Sequence, residues 1–294
     1  MNLIVKKENS QINIDRLDAQ RYLYTKAKCI SIISLILCAI IPVALVFLRF
    51  CFYDNDIFSK IVIIYSFCAI FIEKILEFLI TKRRNTASRI QQLFDCELFD
   101  LPWNEPLCGE QPTHEEIYKA KTGKSINKLH NWYEPVIESL KHEYAIVVCM
   151  HTNVLYDRNI RYIYHKIIYI TMLVLPLIVF LFGIIDNNDM LDWLTNSLIP
   201  FTPLMAWCLD IHKHNIENLK ALTRIEKLIN ITFSKVKKKG KITIKELSVI
   251  QDLIFVHRNT AYPIPNILYK IMRNRLEKTT NYSINQICEE IAKS

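Results

Sequence analysis

Four long apolar runs, gathered into two tight pairs, constrain this chain more than any other feature. They cover roughly residues 29–50, 57–80, 163–186 and 190–210. From Cys29 to Leu48 there are 20 residues without a charge, and from Ile167 to Ile185 there are 19. A helix needs about 20 predominantly apolar residues to cross a hydrocarbon core about 30 Å thick. No water reaches that core, so only a helix or a closed barrel satisfies its own backbone groups there. The runs are continuous rather than alternating, which selects helices. The expected fold is therefore an all-α membrane protein, with four transmembrane helices in two hairpins and a helical cytoplasmic region.

The charges agree with that division. A chain of 294 residues that is 51% hydrophobic and 22% charged must segregate the two populations. Residues 210–294 hold 16 Lys+Arg against 8 Asp+Glu, and residues 1–28 hold 6 against 3. The segment 81–166 is nearly balanced, at 12 against 11. The short turns inside the two pairs are acidic, with Asp54 and Asp56 in one and Asp186, Asp189 and Asp192 in the other. Excess Lys and Arg marks cytoplasmic loops. Both termini and the 81–166 segment are thus expected inside, and the acidic turns outside. No cleavable leader is expected, because the chain begins polar and its first apolar run is long enough to stay in the bilayer.

Five segments follow from this map: an amphipathic N-terminal helix over 1–28, a first transmembrane hairpin over 29–80, a cytoplasmic segment over 81–162, a second hairpin over 163–210, and a basic helical segment over 211–294. In the first, Ile14, Leu17, Arg21, Tyr24 and Lys28 recur at helical spacing after Asn9 and Ser10, either of which can cap. That helix either lies at the lipid interface or packs on the soluble part. Prolines 102, 106 and 112 with Gly109 break helix before Gly123, and a helical pattern resumes near Ser125–Lys141. Pro200 and Pro203 predict a kink in the fourth span. One helix is expected over His212–Val236, ended by the run Lys235–Lys241, and two more near Thr243–His257 and Pro265–Lys278. The basic run either touches anionic lipid or forms a solvated turn.

Several chemistries have no support. Only four glycines occur, at 109, 123, 183 and 240, which excludes a phosphate-cradling loop and a dinucleotide fingerprint. There is no HExxH and no GxSxG, and the nine cysteines form no CxxC pair. An enzyme, a zinc site and a disulfide framework are not expected.

Two sets of residues remain as candidates. Glu73 and Glu77 are four apart near the inner end of the second span, where a ring of them in an oligomer could line a pore. Alternatively they sit at the interface with Lys74. The soluble part interleaves aromatics with cations: Trp132 and Tyr133, Tyr156, Arg158, Arg161 and Tyr162, His257 and Arg258, Tyr269 and Arg273. Aromatic faces stack on bases and cations neutralise phosphates, so the mixture suits a nucleotide. Interfacial anchoring would use the same residues.

Four stretches together carry a resemblance: ENSQINIDRLDAQRYLYTKAK, IQQLFDCELFDLPWNE, LHNWYEPV with VVCMHTNVLYDRNIRYIYHK, and LSVIQDLIFVHRNTAYPIPNILYKIMRNRLE. They resemble the SMODS-associated four-transmembrane effector family of bacterial CBASS antiphage systems, over nearly the whole chain and in order. The matching positions include Asp18 to Arg21, Phe94-Asp95, Leu101 to Asn104, Cys149, Asn153, Asp157, Arg161, Gln251-Asp252, Arg258 and Tyr269. Where the family tends to carry Cys-Gln-Arg, this chain has Cys149-Met150-His151.

The resemblance implies an effector of the bacterial inner membrane. It would be activated by a cyclic di- or trinucleotide, assemble as a homo-oligomer among membrane lipids, and permeabilise the membrane without binding DNA or RNA. The ligand residues it points to are Trp132, Tyr133, His151, Asn153, Arg158, Arg161, Arg258, Tyr269 and Arg273, with Glu73 and Glu77 lining the pore. The alternative is a constitutive four-span channel of bestrophin-like type.

Overall fold

In the computed structural model of the chain, residues 2–51, 56–124, 126–185, 190–194, 198–238 and 240–293 are described. In chain order the helices are α1 (Ile4–Glu8), α2 (Gln11–Leu35), α3 (Ile41–Cys51), α4 (Asp56–Phe99), α5 (Glu105–Cys108), α6 (His114–Ala120), α7 (His142–Ile185), α8 (Met190–Trp193), α9 (Ile199–Lys237), α10 (Ile244–Thr260) and α11 (Asn266–Lys293). One π-helical turn, Ile36–Ile40, joins α2 to α3 into a continuous rod. Among the described residues there is no strand. Asp54, Asp186 and Asp189 of the acidic turns lie outside the described residues, as do the side chains of Asp56 and Asp192.

Length decides the architecture. Helices α4 and α7 have 44 residues each, which at 1.5 Å per residue is about 66 Å. That is twice a hydrocarbon core. The residue positions 80, 162 and 210, where the sequence suggested segment boundaries, all fall inside unbroken helices. Each long rod therefore has an apolar-surfaced half and a half that belongs to a polar-surfaced bundle.

The surfaces of the halves differ. On α4, Ile57, Ile61, Ile64, Phe67, Phe71, Ile75 and Phe78 are all exposed, at the three-and-four spacing that keeps residues on one face. On α7 the exposed residues include Ile167, Ile170, Leu173, Leu177 and Phe180. An apolar patch of this extent marks a surface that water does not cover. Inside this half, Ala39, Phe201, Leu204 and Cys208 form a small core.

The π turn has a local cause. Pro42 has no N–H to offer the turn before it, and its ring crowds the carbonyl four residues back. An extra residue in the turn relieves that crowding. The Tyr65 hydroxyl donates to the Leu37 carbonyl at 2.7 Å, bonding a carbonyl within the distorted stretch. Pro200 falls at the start of α9, where a missing donor matters least, while Pro203 lies inside the helix.

The polar-surfaced half holds the largest core, built from Ile14, Leu17, Phe94, Leu98, Phe99, Ile146, Met150, Ile225 and Ile229 among others. Helix α2 is buried here through Asn13, Arg16, Asp18 and Gln20 as well as its apolar residues. This is the second of its two sequence readings: it packs on the soluble part. Asp18 fixes a loop onto it, accepting from the Thr122 N–H at 2.6 Å and the Gly123 N–H at 2.7 Å. Gly123 has φ of 68°, a value that suits glycine. Helix α10 begins with a capping box between Thr243 and Glu246.

Two sequence expectations differ from the structure. Residues 126–141 carry only 3-10 turns, Ile126–Lys128 and Pro135–Ser139; Pro135 and a left-handed Asn131, φ 55°, stop a helix there. Helix α11 runs to Lys293, without the short tail expected after Lys278. The basic run Lys235–Lys241 begins 25 residues beyond Asp210 in sequence, and α9 carries its start about 38 Å further along its axis. Several Debye lengths of about 8 Å separate it from the apolar half. Lys235 pairs with Glu246, and Lys237 with Glu290 at 2.7 Å, both from the last turn of α9.

Glu8 ends α1 inside this core. Its Oε2 accepts from the Tyr133 N–H at 3.2 Å, while Oε1 has no partner. Burial pushes the carboxyl up to about 8. A raised carboxyl contributes stability that is complete below its unfolded pKa of 4.5 and is lost as pH climbs through about 8. Glu8→Gln should therefore melt higher than the parent at pH 8, with a gap that closes by pH 5. Melting midpoints of the detergent-solubilised protein at the two pH values check this.

Candidate functional site

Two clusters of ionisable residues stand out, one at the edge of the apolar half and one within the polar bundle. The first joins α4 to α9. Lys74 Nζ lies 2.6 Å from Asp210 Oδ2, 3.1 Å from Glu73 Oε2 and 3.3 Å from Glu77 Oε2. His214 Nε2 lies 3.5 Å from Glu77 Oε1. Oxygens of Glu73, Glu77 and Asp210 all come within 4.8 Å of one another, close enough by distance to hold a divalent cation. The Lys74 ammonium already bridges all three, so the cluster is an ion-pair network. Glu73 is buried and packs within the bundle of its own chain. Beside it the rings of His165 and His212 stack at 5.2 Å, tying α7 to α9.

This level also marks where the apolar run of α4 stops. Residues 57–72 carry one charge, Lys60, and then Glu73, Lys74 and Glu77 follow within five positions. Sixteen residues of helix rise about 24 Å, close to a hydrocarbon thickness. The acids thus follow directly on the apolar run and are paired with Lys74.

The second cluster is threaded by α10. Arg258 pairs with Asp95 of α4, and Gln251 Nε2 donates to the same carboxylate at 2.9 Å and to Gln92 Oε1 at 2.8 Å. One residue earlier, His257 Nε2 meets Asp157 Oδ2 of α7 at 2.5 Å, and Arg161 Nε donates to that oxygen at 3.0 Å. Asn215 of α9 donates to the Arg161 carbonyl at 3.1 Å. Asp95, Arg161, Gln251 and His257 are all buried, and buried charges of this kind persist only when paired and hydrogen-bonded.

His257 gives this cluster a pH dependence. Burial depresses its pKa, and Arg161 and Arg258 add to that, against the opposing pull of Asp157. The neutral ring must then donate Nε2–H to Asp157, which leaves Nδ1 without a partner, as found. A depressed histidine contributes stability that is complete above its unfolded pKa of 6.5 and is lost as pH falls through the folded value. Asp157 is also depressed, through Arg161 and His257 acting against burial, so its contribution survives to lower pH. In a Glu8→Gln background, where the opposing titration of Glu8 is removed, the melting midpoint should fall between pH 7.5 and 5.5, and the fall should shrink when His257→Gln is added.

The nine residues suggested by sequence as ligand contacts do not form one constellation. Arg258 and Arg161 lie in the buried cluster. Tyr133 is buried too, its hydroxyl accepting from Asn153 Nδ2 at 2.9 Å. Arg158 turns away from Arg161 to pair with Glu226 of α9. His151 packs edge-on against Phe233 at 5.4 Å, and burial lowers its pKa, so it stands there as a neutral aromatic. The Tyr269 ring lies under Lys28 Nζ at 4.0 Å. Trp132 is exposed, and Arg273 pairs with Glu277 on the surface at 2.7 Å. The resemblance named Asp95 and Asp157 without giving them a role, and sequence reasoning did not single out Arg84, which donates to the Asn259 and Ala261 carbonyls at 2.6 and 3.2 Å.

The family model of the SMODS-associating 4TM effector domain matches residues 2–287. The chain belongs to this family. Two helical stretches, Gln11–Leu45 and His142–Ile178, are long and apolar enough to cross a membrane, and only 28% and 22% of their most apolar windows are buried. A core helix of a soluble protein would be mostly buried, so family and surface together make this 4TM effector a membrane protein. The run of α4 carries more charge, and part of the fourth run lies outside the described residues.

A protein of Bacillus cereus (strain VD146) named a probable CBASS effector molecule is 26% identical over 286 residues, covering 92% of this chain and 94% of its own length. No solved structure matches. The resemblance noted in the sequence is thus the family itself. Its motifs now have physical roles: Asn104 Nδ2 bonds Asp252 at 2.7 Å, and Trp103 Nε1 bonds the Gly109 carbonyl at 2.8 Å. They secure the segment after α4 against α10.

Proposed function

We propose that this chain is a membrane effector of antiphage defence, activated by a cyclic di- or trinucleotide and acting by permeabilising the bacterial inner membrane as a homo-oligomer. In this reading the four apolar runs are four spans in two hairpins. The polar bundle and both termini lie in the cytoplasm, and the acidic turns face outward. The observation that carries it is helix continuity: α2 with α3, α4, α7 and α9 each pass unbroken from the polar bundle into the apolar half. A shift in the bundle therefore moves the spans directly, with no linker to absorb it.

Family membership and the probable CBASS role of the Bacillus cereus relative supply the context. Binding must favour the permeabilising state by differential affinity. The arginines of the buried cluster already have carboxylates, so an anionic ligand would compete with Asp95 or Asp157 for them. Such an exchange is a switch rather than passive docking. The exposed Trp132 ring and the half-buried Tyr269 and Lys28 supply stacking and charge. Catalysis has no part in this reading.

Single cysteines introduced at residues 54 and 188 test the topology. A membrane-impermeant maleimide applied to intact cells should label both, while a cysteine at 238 should label only after lysis. Labelling of 238 in intact cells would overturn the orientation.

A further inference from the structure

We propose that the connector between α10 and α11, residues 261–265, is the coupling element that ties the state of the polar bundle to the four apolar helices. The inference deepens the reading above, since what it couples to is the permeabilising movement proposed there.

The argument starts from two prolines. In a continuing helix, the carbonyl of Asn259 would accept from the N–H of residue 263 and that of Ala261 from residue 265. Both positions are proline, Pro263 and Pro265, which have no N–H. The two carbonyls are orphaned by sequence. Arg84 of α4 supplies the missing donors, with Nε to Asn259 O at 2.6 Å and Nη1 to Ala261 O at 3.2 Å. Arg161 of α7 donates to the Tyr262 carbonyl at 3.2 Å. A planar guanidinium can fork between two acceptors in a way an ammonium cannot.

The remaining two long helices reach the same segment. Ser31 Oγ of α2 lies 3.3 Å from the Tyr262 hydroxyl, and the His214 ring of α9 stacks on the Tyr262 ring at 6.2 Å. Tyr262 and Ile264 are both buried, in one apolar cluster with Ala27 of α2, Ile80 of α4, Ile160, Tyr164 and Ile168 of α7, and Ile211 of α9. One short non-helical segment is thus gripped by all four rods, just below the Lys74 network. His214 belongs to both, since it also meets Glu77.

The other end of the chain of contacts is the buried cluster. His257 and Arg258 sit in the last turn of α10, immediately before the connector. Arg161 holds Asp157 with one nitrogen and the connector with another. A displacement of α10 that exchanges the partner of Arg258 or Arg161 must therefore draw carbonyls 259, 261 and 262 from their donors. The prolines deny carbonyls 259 and 261 the α-helical donors that would otherwise replace Arg84. Two discrete arrangements, rather than a graded one, are the expected behaviour.

The test uses the full chain in vesicles of phosphatidylethanolamine and phosphatidylglycerol, comparing the parent with Arg84→Met and the milder Arg84→Lys. Hydrogen exchange is read over residues 72–80 and 208–214, beyond the connector, and over 142–154 at the far tip. Both variants should raise exchange in the first two stretches about tenfold or more and leave the tip unchanged. A rise confined to residues 259–265, or none, overturns the proposal. Dye release is then driven with cyclic di-AMP, cyclic di-GMP, cyclic GMP-AMP and cyclic tri-AMP. Where the parent responds, Arg84→Lys should change release about tenfold with affinity held within about threefold. Equal loss of binding and release would make Arg84 a ligand contact and overturn the coupling role. If the parent responds to none while the exchange result holds, the permeabilising reading fails and the connector stands.

Discussion

Arg258→Met should be the most destabilising of the single changes considered, at about 3–5 kcal/mol, because it strands the Asp95 carboxylate inside the bundle. The Asp95 side chain is 1% exposed and that of Arg258 is 13% exposed, so little solvent is at hand to compensate. Gln251 would remain as the partner of Asp95, one neutral hydrogen bond against a lost charge. Asp95→Asn should do comparable damage from the other side. The double variant Asp95→Asn with Arg258→Met should lose much less than the two single changes added together, since no buried charge is left unmatched. Melting midpoints of the four proteins in one detergent decide it. Were Arg258→Met to melt with the parent, the pair would carry no structural load, and Arg258 would be free for a ligand.

The second large effect is expected at the inner edge of the spans. Lys74→Met removes the cation that bridges Glu73, Glu77 and Asp210, leaving three carboxylates with oxygens within 4.8 Å. Like charges so close cannot all stay ionised without cost. One carboxyl can take up a proton; at pH 8, where that is hardest, relief comes from the parting of α4 and α9, which belong to different hairpins in the proposed arrangement. Vesicles carrying Lys74→Met should therefore leak dye at pH 8 without any nucleotide, about tenfold faster than the parent. Adding Asp210→Asn and Glu77→Gln to the same chain should restore the seal. Leakage equal to the parent's would show that the network does not hold the hairpins together.

Much of this architecture could be read from residues alone. The uncharged stretches from Cys29 to Leu48 and from Ile167 to Ile185, and the period of Ile216, Leu219, Leu222 and Ile225, are local signals that need no partner to interpret. The helix across 81–99 was partly visible, since helical spacing through Glu73–Leu79 and Arg89–Leu93 lets the second run continue past its apolar part. Its surface is charged at Lys82, Arg83 and Arg89, so hydropathy stops at residue 80 while the backbone does not. Helical periodicity also misled near Ser125–Lys141, where Pro135 and the left-handed Asn131 win over the spacing of apolar residues.

The candidate site was the least legible part. Arg158 and Arg161 are three apart and share a side of α7 on paper, yet one faces Glu226 and the other Asp157 and Tyr262. Arg161–Asp157 is a local pair four residues apart, but only tertiary contacts assign Arg158 to Glu226 and Arg258 to Asp95, across 68 and 163 residues. Pro263 and Pro265 were a usable signal that went unread. Two prolines at i+4 from Asn259 and Ala261 announce orphaned carbonyls, and hence a donor elsewhere in the fold.

The central claim is that a cytoplasmic cyclic nucleotide opens the membrane through this chain. The most direct measurement is dye release from vesicles of phosphatidylethanolamine and phosphatidylglycerol holding the purified full-length protein, with cyclic di- and trinucleotides added on the side of the polar bundle. The account predicts silence without nucleotide and rapid release with at least one of them. Equal release with and without nucleotide would contradict it and point to a constitutive channel.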